Sequence, residues 1–125
     1  MKTYQTVLAI RGPRQSGKGS SLISGGIAVA RKTPDRNVVY VAPMWAMVQF
    51  ARKSHGKDAP RNFHWLTGHN LRRLEKMIKA AKPTLILLDE AQSLRCSGAK
   101  QYANRLAKKF KTSVWFTENV DEVKT

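Results

Sequence analysis

Apolar and polar positions along the chain switch repeatedly between a strand pattern and a helix pattern. Short runs rich in β-branched and other apolar residues predict strands at 6–10, 37–43, 63–67, 84–88 and 113–117. Between these runs, the pattern predicts helices at 18–32, 44–55, 71–82 and 99–110. Strands that alternate with helices are typical of a parallel sheet covered on both faces. We therefore predict one α/β domain over residues 1–125, a three-layer sandwich built on a five-stranded parallel sheet.

Local signals refine several of these elements. Asn70 can cap the helix at 71–82, and Pro83 stops it. Gly25 and Gly26 weaken the first helix by about 1 kcal/mol each unless they allow close packing. The three tryptophans are expected in helix–sheet packing, and they are Trp45, Trp65 and Trp115.

The charge of the chain points to a partner. Its formal net charge is +15 over 125 residues, and 42% of the residues are hydrophobic, which is a globular composition. A surface this basic attracts polyanions, so we expect a nucleic-acid partner, with DNA favoured over RNA. No apolar run approaches the roughly 20 residues of a membrane span, so no membrane association is expected. The single cysteine, Cys96, fits a reducing compartment, and we expect a cytoplasmic protein, in the host cytoplasm if it is viral.

Basic residues concentrate on the polar sides of two predicted helices, 71–82 and 99–110. A solvated surface is the simplest interpretation, and contact with a phosphate backbone is the alternative. Such contact would be independent of base sequence. The residues predicted to make it are Arg72, Arg73, Lys76, Lys100, Arg105, Lys108 and Lys109.

Residues 12–20, "GPRQSGKGS", form a candidate phosphate-binding loop between the first strand and the first helix. Glycines let the backbone curl so that its N–H groups face phosphate oxygens, and the helix adds its positive end. Lys18 would reach the β- and γ-phosphates of ATP. The predicted nucleotide-binding residues are Gly12, Pro13, Arg14, Gln15, Ser16, Gly17, Lys18, Gly19, Ser20 and Ser21.

Gly19 departs from the usual pattern, in which Ser or Thr follows the lysine and binds Mg²⁺. The loop resembles that of adenylate kinases, where glycine and then threonine follow the lysine. Ser20 is therefore the predicted hydroxyl ligand of the metal. Replacing Gly19 with threonine should tighten Mg²⁺-dependent binding if Ser20 does not reach the ion.

A pair of acids follows the apolar strand in "LILLDEAQ" (85–92). Ligands of open α/β sheets bind at the carboxyl ends of strands. Asp89 is predicted to hold Mg²⁺ and Glu90 to activate the attacking water. Gln92 would sense the γ-phosphate or couple to a nucleic-acid site. The alternative for the pair is an acidic helix N-terminus that offsets the helix dipole.

Together, the loop and the acid pair resemble the two nucleotide motifs of the additional-strand catalytic-glutamate class of P-loop ATPases, the RecA-like class. The order of segments "NVVYVAPMW", "HWLTGHNLRRL", "LILLDEAQ" and "SVWFTEN" is similar to the first motor lobe of superfamily 2 helicases and translocases. The stretch "DEAQSLR", followed by a basic helix, is especially similar to Swi/Snf-type double-strand translocases. Viral packaging ATPases share this order. Phage assembly ATPases of the zonula-occludens-toxin type and transposition AAA ATPases also carry Asp-Glu-Ala-Gln.

The resemblance implies further features of the fold and site. The strand order would be 1-5-4-2-3, with the strand before the phosphate loop at one edge. Thr117 and Asn119 would couple nucleotide state to nucleic acid, although turn chemistry at a strand end is an equal alternative. Hydrolysis would use an arginine from a second copy of the chain or from a partner protein.

The sequence therefore predicts an ATP-binding and ATP-hydrolysing P-loop protein that works on nucleic acid with Mg²⁺ as cofactor. The first alternative is a nucleotide-gated binding module with little or no turnover, because Gly19 removes a metal ligand. A phage-assembly or transposition-type ATPase is the second alternative. A nucleoside monophosphate kinase is disfavoured, because no arginine-rich lid segment is evident.

Overall fold

A computed structural model describes residues 6–12, 17–90 and 98–119. Strands and helices alternate through these residues, as the pattern of apolar positions predicts. The strands are β1 (Val7–Gly12), β2 (Asn37–Ala42), β3 (Phe63–Thr67), β4 (Pro83–Leu88) and β5 (Ser113–Asn119). The helices are α1 (Lys18–Lys32), α2 (Trp45–His55), α3 (Leu71–Ala81) and α4 (Ala99–Phe110).

All five strands pair in parallel in one sheet with the order β1-β5-β4-β2-β3. This is the order expected from the sequence, and β1 lies at one edge, paired with β5. The carboxyl ends of β1, β4 and β5 therefore lie side by side at one end of the sheet. Because the sheet is parallel, the loops that follow β1 and β4 also begin at that end.

Two apolar clusters, one on each face, hold the helices on the sheet. On one face α1 and α2 pack against β2 and β4 through a cluster that includes Leu22, Tyr40 and Leu87. On the other face α3 and α4 pack through Leu74, Leu106 and Phe116. The arrangement is the predicted three-layer α/β sandwich, with β2 and β4 almost fully buried in its middle layer.

Helix α1 approaches the sheet closely at Gly26. A Cβ atom added there would lie 2.2 Å from Cδ1 of Leu87, a separation that real side chains do not show. Gly26 therefore weakens the helix locally but lets it lie directly on β4. This is the close packing that the sequence allowed as the reason for a glycine inside the helix.

Asn62, the residue directly before β3, is hydrogen-bonded to the C-terminal end of α1 and to the segment after it. The buried side-chain amide donates to the backbone carbonyls of Ala30 at 2.8 Å, Thr33 at 3.0 Å and Arg36 at 2.6 Å. Carbonyls at a helix C-terminus lack partners within the helix, so this side chain supplies what the helix cannot. The sequence pattern gave no sign of this role.

Trp45 corrects one expectation about the core. Trp65 and Trp115 pack against the apolar cluster under α1 and α2, as predicted. Trp45, by contrast, is 52% exposed at the start of α2. It lies where the chain leaves the sheet after β2, so it has no strand to cover.

In the described part of the chain, no helix combines the length and apolarity needed to cross a membrane.

Candidate functional site

The first turn of α1 is built to present backbone N–H groups. Gly17 precedes the helix with φ at 81°, a left-handed conformation that glycine adopts without strain. Its carbonyl accepts the first helical bond from the Ser21 N–H at 3.0 Å. The turn holds no acidic residue, and Lys18 at its start is buried. The positive end of the helix is therefore reinforced by a lysine and is not offset by a carboxylate of its own.

Asp89 is held by hydroxyl groups from the strands on both sides of β4. The Tyr40 hydroxyl on β2 donates to Oδ2 at 2.7 Å, and the Thr117 hydroxyl on β5 donates to Oδ1 at 3.1 Å. The carboxylate is buried, with 9% of the residue exposed. Two donors from opposite sides fix its orientation and lower the energy of keeping the charge out of water.

The contact with Asp89 affects the acidity of the Tyr40 phenol. Burial raises the pKa of the Tyr40 phenol well above its ordinary value, and the neighbouring Asp89 carboxylate raises it further. Tyr40 is therefore a protonated donor to Asp89 over the whole physiological range of pH. Only 1% of the residue is exposed, so solvent does not compete for this bond.

Asp89 also touches the first turn of α1. A Cβ atom built on Gly19 would lie 2.9 Å from Oδ2 of Asp89 and 3.5 Å from its carboxyl carbon. The carboxylate therefore fills the space in which a side chain at position 19 would begin. Gly19, the departure from the usual loop pattern, is what allows the acid to reach the N-terminal turn of α1.

Glu90 faces a different cavity from Asp89. Its backbone has φ at 51°, a left-handed conformation that is strained for a residue with a side chain. Its N–H donates to the Thr117 hydroxyl at 2.9 Å, so one side chain bonds both acids. Glu90 lines a cavity of about 830 Å³ at the carboxyl ends of the strands, together with Pro43, Gly68 and Asn70. This side of the acid pair has room for water and ligand.

A second cavity, of about 360 Å³, lies between α1 and α2 and is called the α1–α2 cleft. Gly19, Tyr40 and Asp89 lie at one end, and its walls include the apolar residues Ile23, Met47, Phe50 and Ala51. The Ser20 hydroxyl lines the cleft and is hydrogen-bonded to Nε2 of His55 at 3.1 Å. The bond ties the first turn of α1 to the last residue of α2.

The structure brings the main predicted residues together. Gly17 precedes α1, Lys18 and Gly19 begin it, and Asp89 contacts Gly19. Thr117 is hydrogen-bonded to both Asp89 and Glu90. Gly12 ends β1 opposite Asn119 in the strand register. Ser20 and Ser21 lie in the same helical turn, and the role of Ser20 as a metal ligand stays a prediction. The predictions for Pro13, Arg14, Gln15, Ser16 and Gln92 fall outside the described residues.

Sequence reasoning missed Tyr40 and His55 as members of the site. Tyr40 lies 49 positions before Asp89, and His55 lies 35 positions after Ser20, so neither pair forms a local motif. The available signal was a hydroxyl-bearing residue within the otherwise apolar run "NVVYVA". A buried polar group in a central strand needs a partner, and the acid after a neighbouring strand is the one it finds.

The predicted nucleic-acid residues lie on two helices that do not line the α1–α2 cleft. They occupy the exposed sides of α3 and α4, on the face of the sheet opposite α1. Arg72, Arg73 and Lys76 lie on α3, and α4 carries Lys100, Arg105, Lys108 and Lys109.

Comparison with known proteins adds no family assignment. No protein-family model matches the chain, and no curated protein matches its sequence significantly. The resemblance to P-loop ATPases therefore rests on the sequence motifs alone.

Proposed function

We propose that this chain binds ATP with Mg²⁺ at the carboxyl ends of β1 and β4 and hydrolyses it in association with nucleic acid. The observation that carries the proposal is the contact between Asp89 and the first turn of α1. The chain separates these two elements widely, yet the fold brings a buried carboxylate against the helix end that begins with Lys18. Strand order also supports the proposal, because β5 lies between the strand before the loop and the strand before the acids.

Each residue of the site has a defined chemical part in this proposal. Lys18 and the N–H groups at the start of α1 bind phosphate oxygens and compensate their charge. Asp89, aligned by Tyr40 and Thr117, is the carboxylate that would hold Mg²⁺, and the bound ion would neutralise phosphate charge. Glu90 faces the open cavity, where it orients an attacking water and accepts its proton. Thr117 contacts both acids and is the residue best placed to sense a change in either.

The hydrogen bonds and contacts of Asp89 and Ser20 fit the proposed roles of these residues as metal ligands. Asp89 has hydroxyl donors on both oxygens and still contacts the loop-side turn of α1, so its carboxylate is oriented towards that turn. Ser20 would reach a metal ion only by giving up or sharing its bond to His55. Asp89 is therefore the principal protein ligand expected for the ion, and Ser20 is secondary.

Nucleic acid is the expected polymer partner because of the net charge of +15. A γ-phosphate-contacting arginine from a second copy or from another protein would complete the site, as the resemblance implies. The exposed edge at β1 offers a place for such a partner, since β1 pairs only with β5 among the described strands.

Four proteins test the proposal: wild type, Lys18→Ala, Glu90→Gln and, as a matched control, Glu118→Gln. Glu118 is an acid on β5 whose ion pair with Arg11 is long, at 3.9 Å, and partly exposed. ATP binding is measured by calorimetry, and phosphate release is measured with and without DNA. Lys18→Ala should lose binding, whereas Glu90→Gln should bind ATP and lose turnover. Absence of ATP binding in wild type, or equal turnover in wild type and Glu90→Gln, would refute hydrolysis at this site.

A nucleotide-gated binding module is the second candidate, and one observation favours it. Gly19 brings no hydroxyl, and the Ser20 hydroxyl is bonded to His55 across the α1–α2 cleft. A weakly held metal slows phosphoryl transfer without preventing nucleotide binding. This candidate predicts that wild type and Glu90→Gln bind ATP equally and release phosphate equally slowly, while ATP still changes DNA affinity.

A further inference from the structure

Helices α3 and α4 enclose a basic groove on the outer face of the sandwich. One cavity of about 480 Å³ is lined by residues that include Arg72, Lys76 and Arg105. A second, of about 450 Å³, extends to Lys82 and Pro83 at the end of α3. Both are lined by Lys79, Lys109 and Phe110, so they form one continuous feature, the α3–α4 groove.

The groove contains one acid, and that acid is neutralised. Glu75 is the acidic residue of α3, and α4 has none. Oε1 of Glu75 lies 2.5 Å from Nζ of Lys109, and only 14% of the Glu75 side chain is exposed. A buried and paired carboxylate contributes little negative field at the surface. The exposed cations beside it therefore present a nearly uniform positive potential.

The dimensions suit a phosphate backbone. Helix α3 has 11 residues, so the groove beside it is about 16 Å long at about 1.5 Å per residue. One strand of a duplex places a phosphate about every 3.4 Å along its axis, so roughly five phosphates would span that length. Basic side chains recur along the whole groove, from Arg72 near its start to Lys82 at its end.

The apolar surface of the molecule argues against a membrane as the partner of this groove. Among the described residues of α3 and α4, the most exposed large apolar residue is Met77, with 41% of its surface accessible. Of the more strongly exposed apolar residues, Met44, Trp45 and Phe50 lie at or near α2 on the opposite face, and Leu8 lies on the edge strand β1. A surface that is basic and concave but poor in apolar groups fits a nucleic-acid backbone better than lipid.

We propose that the α3–α4 groove is the nucleic-acid-binding surface of this protein and that it contacts the phosphate backbone independently of base sequence. This inference deepens the nucleic-acid part of the proposed function and does not require ATP hydrolysis. It places the polymer on the side of the sheet opposite α1. Polymer and nucleotide would then occupy separate surfaces, linked through α4 and β5.

The test compares two variants of equal charge. The groove variant is Lys76→Gln/Lys79→Gln/Arg105→Gln, and the control is Lys32→Gln/Arg52→Gln/Lys53→Gln on the α1–α2 layer, where all three residues are exposed. Binding to a fluorescein-labelled DNA duplex and to a matching single strand is followed by anisotropy between about 50 and 200 mM salt. Circular dichroism and calorimetric ATP titration on the same samples separate a folding or nucleotide defect from a polymer defect.

The groove variant should bind duplex about 10- to 500-fold more weakly near 0.1 M salt. The slope of log K against the logarithm of salt concentration should be shallower by up to about 2.7, because each lost phosphate contact removes about 0.9. The control should stay within about threefold of wild type, since charges outside the contact act only through a screened field. Glu75→Gln should tighten binding, because Lys109 then gains freedom to contact phosphate.

Three results would overturn the proposal. The first is an equal loss of affinity in the groove variant and the control, which would mean that net charge alone attracts the polymer. The second is absence of binding to either oligonucleotide by wild type at low salt. The third is binding to vesicles of anionic phospholipid that depends on the groove residues and outcompetes DNA. ATP binding by wild type in any of these cases would leave the nucleotide site standing.

Discussion

Oδ2 of Asp89 lies 2.9 Å from the point at which a Cβ atom of residue 19 would stand, and residue 19 is glycine. The carboxylate and the missing side chain therefore compete for one space. In the usual loop pattern a hydroxyl occupies that position; here an acid from another strand does. Gly19 thus explains the approach of Asp89, and the departure from the motif becomes a structural requirement.

Substitution of Gly19 should accordingly weaken the site. Gly19→Thr and Gly19→Ala both place a Cβ against a carboxylate that two hydroxyl groups hold in place. Overpacking costs about 1–3 kcal/mol, and the gain in helix propensity for alanine, about 1 kcal/mol, offsets part of it. We expect lower stability by urea unfolding and weaker Mg²⁺-dependent ATP binding by calorimetry. The sequence alone predicts tighter binding for Gly19→Thr if Ser20 does not reach the ion, and the structure leads to the opposite expectation.

Ser24→Ala is the matched control for these variants, because Ser24 is exposed on the same helix. It should leave both stability and nucleotide affinity unchanged. Tighter Mg²⁺-dependent binding by Gly19→Thr would show that Asp89 yields its position easily and that the structural argument fails.

Tyr40→Phe removes a hydroxyl that donates to a buried carboxylate at 2.7 Å. Hydrogen bonds to charged groups contribute about 1.5–3 kcal/mol, so a loss of this size is expected near neutral pH. The folded chain raises the pKa of this phenol above its ordinary value of 10.0, so its contribution is complete below that pH and declines above it. The stability gap between wild type and Tyr40→Phe should therefore narrow by up to about 1.4 kcal/mol per pH unit above about pH 10.

Urea unfolding of both proteins at several alkaline pH values checks this dependence. Lysines also titrate there, but they are common to both proteins and cancel in the difference. A gap that is constant with pH would show that Tyr40 ionises normally and does not hold Asp89.

Thr117→Val should disturb both acids at once. The hydroxyl donates to Asp89 and accepts from the Glu90 N–H, so its loss leaves groups that were paired without these bonds. Unsatisfied buried groups cost about 1–3 kcal/mol each, and nucleotide affinity should fall with stability. Thr117→Ser keeps the hydroxyl and should retain most of both.

A double-mutant cycle of Thr117→Val with Tyr40→Phe sharpens this prediction. Both side chains act on one carboxylate, so their effects on the free energy of unfolding should be non-additive by about 0.5–3 kcal/mol. Strict additivity would indicate that the two hydroxyl groups act independently of Asp89.

Asn62→Ala should destabilise the fold without touching the site. The side-chain amide donates to the carbonyls of Ala30 and Thr33 at the end of α1 and of Arg36 before β2, which would be left without it in a partly buried region. A loss of about 1–3 kcal/mol is expected in urea unfolding. Asn104→Ala, at an exposed position of α4, is the control and should have little effect. If both asparagines cost the same, the carbonyls of α1 have other partners.

Much of the fold could be predicted from the sequence because apolar periodicity reports which side of each element is buried. The helices at 18–32 and 99–110 and the strand at 63–67 were predicted with the bounds that the structure shows. Strand order followed from the resemblance of the motifs, and it is confirmed. Asp89 and the first turn of α1 were assigned to one site, and the structure places Asp89 against Gly19.

The missed features are contacts between distant side chains, which leave no periodic trace. Tyr40 looked like one more core residue of β2, and only the register of β2 beside β4 brings its hydroxyl to Asp89. Trp45 looked like a core residue because of its size, although its position in the first turn of α2 leaves it uncovered. Composition and spacing constrain which faces pack, but they do not fix which polar atoms meet.

The hydrogen bond from the Glu90 N–H to Thr117 closes a ring of chain that contains all of α4. The amide proton of Glu90 is therefore a natural spectroscopic reporter. Its rate of exchange with solvent measures how often the hydrogen bond between Glu90 and Thr117 opens. Its chemical shift depends on the Asp89 carboxylate, which is also hydrogen-bonded to Thr117. A single resonance would thus register events on β5 and at the acid pair together.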